Sequence, residues 1–251
     1  MNKQEARTRH AVEERFLEQL KQAFADNLYG VILYGSYVQG SFVPGVSDVN
    51  VLILTEEVAP QQLQTLSRAA HRLIRRHRVT PLILSRREFE RSADVYPMEY
   101  LDIADRHRVL YGTDATEEVS FSKANLRHEL EHQLRGTLIS LRQLLIASRG
   151  SSRRLGANLK RWYGQMGALF RGLLRLAEVD EVPLNPSSLV SKVNEVYGLE
   201  SGPFQRLIEY RSGTKHDPHA IAREVVTRLA TLVQIVDTAD PARGEGGRKQ
   251  S

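Results

Sequence analysis

Two short apolar runs, Val31-Ile-Leu-Tyr34 and Asn50-Val-Leu-Ile-Leu54, are joined by a polar stretch that opens with Gly35-Ser36 and closes with Ser47-Asp48. Each run is too short for a helix and rich in branched residues, so each reads as a buried strand. Strand side chains alternate with a period of two, which puts positions 48 and 50 on one face. A Gly-Ser turn set against such a pair brings a hydroxyl and backbone N–H groups up to metal-binding oxygens, an arrangement that holds a phosphate tail. The pair itself is Asp48 and Asn50, with one negative charge between them.

The chain has 251 residues, enough for one large or two modest domains with a buried core. Its apolar fraction of 41% and charged fraction of 26% are those of an ordinary soluble protein. No apolar run reaches the ~18 residues a bilayer span needs. The polar opening Met-Asn-Lys-Gln-Glu-Ala-Arg does not resemble a signal peptide. These features suggest a cytoplasmic protein without a membrane partner. There is no cysteine, which excludes disulfides, thiolate metal sites and cysteine nucleophiles. A formal charge of +5 suits a phosphate-bearing partner. That excess is too mild to favour nucleic acid over a small phosphorylated molecule.

The apolar period divides the chain. The first half alternates: a helix from Glu5 to about Leu28 (Val12, Phe16, Leu20, Phe24 inward), strands at Gly30–Tyr34 and Asn50–Leu54, and a helix from Pro60 to Arg76. A strand follows over Arg78–Ser85, where Pro81 argues for a sheet edge. Ser85-Arg-Arg-Glu88 reads as a capping box, a helix follows Pro97, and Arg108–Tyr111 closes the unit as a strand. From Ser122 the strand signal stops. Leucines from Leu126 to Leu145 mark one long helix, and Leu155 to Ala177 a second one capped by Ser152. Helices follow over Ser187–Tyr197, from Pro203, and after His216-Asp-Pro218. The expectation is an α/β (α+β) domain with a mixed sheet over 1–115, an all-α antiparallel bundle of four to five helices over 116–240, and a disordered tail over 241–251.

Gly35-Ser36, then Asp48-x-Asn50 about a dozen residues on, resembles the signature of the nucleotidyltransferase superfamily, the DNA polymerase beta-like fold. The likeness extends over 30–112, where Arg106-His-Arg-Val-Leu-Tyr-Gly112 is similar to the strand that closes such domains. Over 122–240 it is architectural, and similar to the kanamycin-type and HEPN-associated minimal nucleotidyltransferases. The resemblance implies transfer of a nucleoside monophosphate, most often AMP, from ATP or another nucleoside triphosphate to a hydroxyl acceptor, small molecule or protein, with Mg²⁺. Asp48 would be the chief metal ligand and Asn50 an auxiliary one. Gly35, Ser36 and Ser47 would cradle the phosphates. The family carries three carboxylates, and here Asn50 replaces the second while Thr80 stands where the third is expected. Glu99 and Asp102, or Glu56 and Glu57, are acids that could compensate, although their spacing assigns none of them.

Two other classes compete. A degenerate module would bind nucleotide or protein without catalysis, and a homodimer is compatible with either reading. Arg211-x4-His216 also fits the spacing of HEPN ribonucleases. Finally, Arg149, Arg153, Arg154, Lys160, Arg161, Arg171 and Arg175 occur with no acid between Glu131 and Glu178. The apolar stripe through Leu155, Leu159 and Trp162 leaves them mainly on solvent, with Lys160 the best placed to meet phosphate.

Overall fold

A computed structural model describes residues 3–38, 42, 47–116, 122–163, 166–200 and 202–238. The chain forms two compact units, Met1–Ser120 and Phe121–Ser251.

In the first unit, the N-terminal helical run comprises α1 (Lys3–His10), a π-helical segment (Ala11–Phe16) and α2 (Leu17–Phe24). The sheet has the order β3-β2-β1-β4, with β1 (Leu28–Tyr34), β2 (Val49–Thr55), β3 (Val79–Ser85) and β4 (His107–Gly112). β1 runs antiparallel to β2 and β4, and β2 runs parallel to β3 through the crossover helix α3 (Pro60–His77). Pro81 therefore lies on an edge strand, where a missing N–H is tolerated.

Alternation along each strand fills two cores. Val31, Leu33, Val51 and Ile53 pack under α2 and α3 with Phe16, Leu20 and Leu66. Ile32, Tyr34, Leu52 and Leu54 pack on the other face with Phe89, Tyr100 and Ile103. Those last three come from α4 (Arg86–Ser92), which starts at the Ser85–Glu88 capping box, and α5 (Pro97–Asp105). The sheet ends in a bulge, where Gly112 (φ +77°) brings its Cα so close to Tyr29 that a Cβ would lie 2.0 Å from the carbonyl oxygen.

The second unit is helical among its described residues: α6 (Lys123–Ala147), α7 (Ser152–Trp162), α8 (Met166–Leu176), α9 (Pro186–Val196), α10 (Pro203–Ser212) and α11 (Pro218–Thr238). The stretch expected as the second long helix carries α7 and α8, and residues 164–165 between them lie outside the described residues. The cap of α7 is Ser151, which accepts the Arg154 N–H, and not Ser152. The expected tail over 241–251 lies outside the described residues. Among those described, no helix is long and apolar enough to cross a membrane.

Candidate functional site

One side chain from each strand stands in a single row across the sheet. Thr80 pairs with Asn50, Asn50 with Tyr34, and Tyr34 with His107. Directly paired residues project to the same face, here the face that carries α4 and α5. The register thus places Thr80 beside Asn50, and the third-acid position carries a hydroxyl.

β1 ends at this row and passes into a 3-10 turn, Gly35–Tyr37. Gly35 adopts φ +71°, and a Cβ there would lie 2.8 Å from Asn50 Nδ2. Glycine is needed twice over, for the backbone conformation and for the close approach of the turn to the Asn50 amide. Ser36 is half-buried in this turn, and Ser47 is half-buried at the bend before β2. The site residues read from the sequence on Gly35 and Asn50 therefore meet.

Asp48 sits just before β2, and its Oδ1 pairs with Arg78 Nη2 at 2.8 Å, with the two side chains 51% and 47% exposed. The Val49 N–H donates to the Arg78 carbonyl at 2.9 Å, so the backbone holds these two residues side by side. An exposed pair of this kind contributes ~0–1 kcal/mol. Either partner can therefore be drawn away by a cation or an anion.

Of the four candidate acids, Glu99 hydrogen-bonds to the row and Asp102 lies near enough to act on it by charge. Tyr34 Oη donates to Glu99 Oε1 at 3.1 Å. Burial first, and then the neighbouring Glu99 and Asp102 charges, push the Tyr34 phenol above its ordinary value. Tyr34 is thus a fixed neutral donor that orients the exposed Glu99 carboxylate. Glu56 and Glu57 follow the far end of β2, more than about 20 Å from Asp48 at ~3.3 Å per residue.

Two clusters were not legible in the sequence. Glu13, on the π-helical segment, accepts from Tyr37 Oη at 2.9 Å and from both Arg108 Nη atoms. Burial alone would raise this carboxyl. The Arg108 and Tyr37 hydrogen bonds and the Arg108 and Arg9 charges outweigh burial and hold it below the usual range. This network ties the Gly35–Tyr37 turn to the N-terminal helical run and to β4. At the end of the row, His107 Nε2 lies 2.6 Å from Asp114 Oδ2, and His107 Nδ1 lies 3.1 Å from the Ile103 carbonyl. Thr116 Oγ1 donates to Asp114 Oδ1 at 2.7 Å. No sequence motif marks either cluster.

Among the described residues, no three His, Cys, Asp or Glu side chains converge. One carboxylate, one amide oxygen and one hydroxyl suit a single Mg²⁺ completed by phosphate oxygens and water. They do not carry the charge for two ions ~3.5–4 Å apart.

A family model described as "Nucleotidyltransferase domain" matches residues 13–110. These residues are a nucleotidyltransferase domain. Their sheet has the DNA polymerase beta-like fold, and the helical second unit follows it. The chain is also similar to the spectinomycin adenyltransferase AAD(9) from Enterococcus faecialis, solved with ATP and spectinomycin. That match has a TM-score of 0.55 and 13% identity, covering 87% of this chain and 98% of that one. At such identity the likeness concerns the fold. No curated protein matches the chain.

The nucleotidyltransferase reading is favoured over the ribonuclease one. His216 Nε2 pairs with Glu209 at 2.9 Å, whereas the Arg211 guanidinium lies over the Tyr163 ring at 5.2 Å. Each has its own partner within the bundle. Lys160, the best placed of that helix's cations to meet phosphate, lies over the Tyr210 ring at 5.0 Å, and Arg161 is exposed. Arg175 is half-buried and donates to the Asp180 carbonyl at 3.3 Å beyond the end of α8, so it does not simply project into solvent.

Proposed function

We propose that this protein transfers a nucleoside monophosphate, AMP from ATP, to a hydroxyl group of a small-molecule acceptor. The supporting observation is the packing of the Gly35–Ser36 turn against Asn50, with Asp48 two residues away and Glu99 turned to the same row by Tyr34. The turn amides and the Ser36 and Ser47 hydroxyls would bind the triphosphate. Asp48, with the Asn50 amide oxygen, would hold a single Mg²⁺, which supplies positive charge to the phosphate oxygens. The acceptor oxygen bonds to the α-phosphorus, the α–β anhydride breaks, and pyrophosphate leaves. Glu99 is the candidate to take the acceptor's proton. The neighbour's structure with ATP and spectinomycin supports a small-molecule acceptor over a protein one.

The test is pyrophosphate release from ATP and Mg²⁺ in the presence of hydroxyl-rich aminocyclitol and aminoglycoside acceptors. Release that requires acceptor and is lost in Asp48→Ala supports the proposal. Millimolar ATP that binds neither with nor without Mg²⁺ would eliminate the nucleotide reading altogether. Binding without turnover for any acceptor would favour the non-catalytic module, which the Asp48–Arg78 pair and the missing carboxylates also suit.

A further inference from the structure

On the sheet face opposite the row, a cavity of about 540 Å³ opens between the N-terminal helical run and the end of α3. Arg7 and Arg15 enter from one wall, Arg72, Arg76 and His77 from the other, and Arg78 from the cap that ends α3. Among the described residues, no acidic one lines it. Cations in the last turn of α3 complement that helix's dipole, which accounts for Arg76 and His77. It does not account for Arg7 and Arg15, brought to the same space by a different element. Among the described residues, Arg7, Arg15, Arg72 and Arg76 form no ion pair, although a surface arginine commonly finds a carboxylate. Burial, together with the Arg76 and Arg15 charges, also holds the His77 imidazole below its ordinary value, as an uncompensated positive field would. The wall that carries Arg15 is the π-helical segment, a rare conformation that concentrates at functional sites.

We propose that this cavity is a second anion site that takes a short oligophosphate chain, inorganic or borne by a nucleotide. Guanidinium groups converging from three elements match phosphate oxygens in charge and hydrogen-bond geometry. The volume lies within the ~300–1,000 Å³ of small-molecule sites and is concave, which suits a compact ligand better than an extended nucleic acid. Arg78 belongs to both sites, since it lines this cavity and pairs with Asp48. An oligophosphate that engages Arg78 therefore competes with the Asp48 carboxylate for it. The consequence is a coupling: occupancy of the cavity frees Asp48.

The experiment titrates the full chain with sodium tripolyphosphate by calorimetry and maps the bound form by amide hydrogen exchange. Protection over 4–15 and 72–78 is expected. The Arg72→Glu/Arg76→Glu double variant should bind at least about tenfold more weakly, and Arg7→Glu, on the facing wall, about threefold more weakly. All three substitutions are at exposed positions, and an unchanged melting curve confirms that the variants fold. Asp48→Ala, which releases Arg78, should tighten binding about twofold, and weaker binding would break the proposed link. In parallel arms, ATP binding as tightly as tripolyphosphate identifies a nucleotide-borne chain, and tighter tripolyphosphate an inorganic one. Protection confined to 35–38, a double variant that binds as the parent does, or an RNA oligonucleotide displacing tripolyphosphate at a hundredfold lower phosphate concentration would each overturn the proposal.

Discussion

Two arginine–carboxylate pairs brace the two ends of the connection from β1 to β2, and they differ in burial. Glu13 has a side chain 16% exposed and is engaged by Arg108, Tyr37 and Arg9. Asp48 is 51% exposed and, among the described residues, pairs with Arg78. The same chemistry therefore has two uses. A largely buried carboxylate with several donors fixes the turn, because removing it strands the donors. An exposed carboxylate with one displaceable partner is free to exchange that partner for a metal or a ligand.

The comparison is sharpest at Asp48. Asp48→Ala should lower nucleotidyl transfer by about a thousandfold, ~4 kcal/mol of barrier, and leave the urea midpoint nearly unchanged. Loss of stability together with activity would show that Asp48 is structural like Glu13. Next in size, Glu13→Ala should destabilise the fold by ~2–3 kcal/mol, below the ~3–5 kcal/mol of a fully buried pair. A cost under ~0.5 kcal/mol would place it with ordinary surface pairs and erase the contrast.

Acid provides a third test. The folded-state carboxyl of Glu13 is depressed below its ordinary 4.5, so its contribution is present above that value and is lost as pH falls through the depressed one. Glu13→Gln should therefore flatten the stability profile below pH 4.5, measured by denaturant melts, and an unaltered profile would show that the charge does not matter. A smaller effect is expected for Asn50→Asp, which should raise Mg²⁺ affinity about fivefold by restoring one charge. No gain would show that positions 48 and 50 do not share a cation. Smallest of all, Arg78→Ala should change stability by less than ~0.5 kcal/mol.

The sequence made the sheet legible because alternation, Pro81 and the Ser85–Glu88 box are local signals that agree with the fold. Thr80 beside Asn50 was legible for the same reason: two strands in register carry their polar positions together. Glu13 was hidden by its place between two inward residues, Val12 and Phe16, whose spacing alone predicts the core. The arginines of the basic cavity come from separate elements, and each alone reads as part of a solvated helix face. Only the tertiary fold brings them together.

The wide turn at Ala11–Phe16 has an engineering consequence. Such a turn accommodates one residue more than the α-helical ladder does. Rewinding it as a regular α-helix with every residue retained would swing everything N-terminal by up to about 100°. Arg7 would rotate off the cavity wall, and Thr8 Oγ1 would leave His77 Nδ1, now 3.2 Å away. Leu20 and Phe24 would keep their places against the sheet. Such rewinding would thus strip one wall of its charge while every arginine remained in the chain.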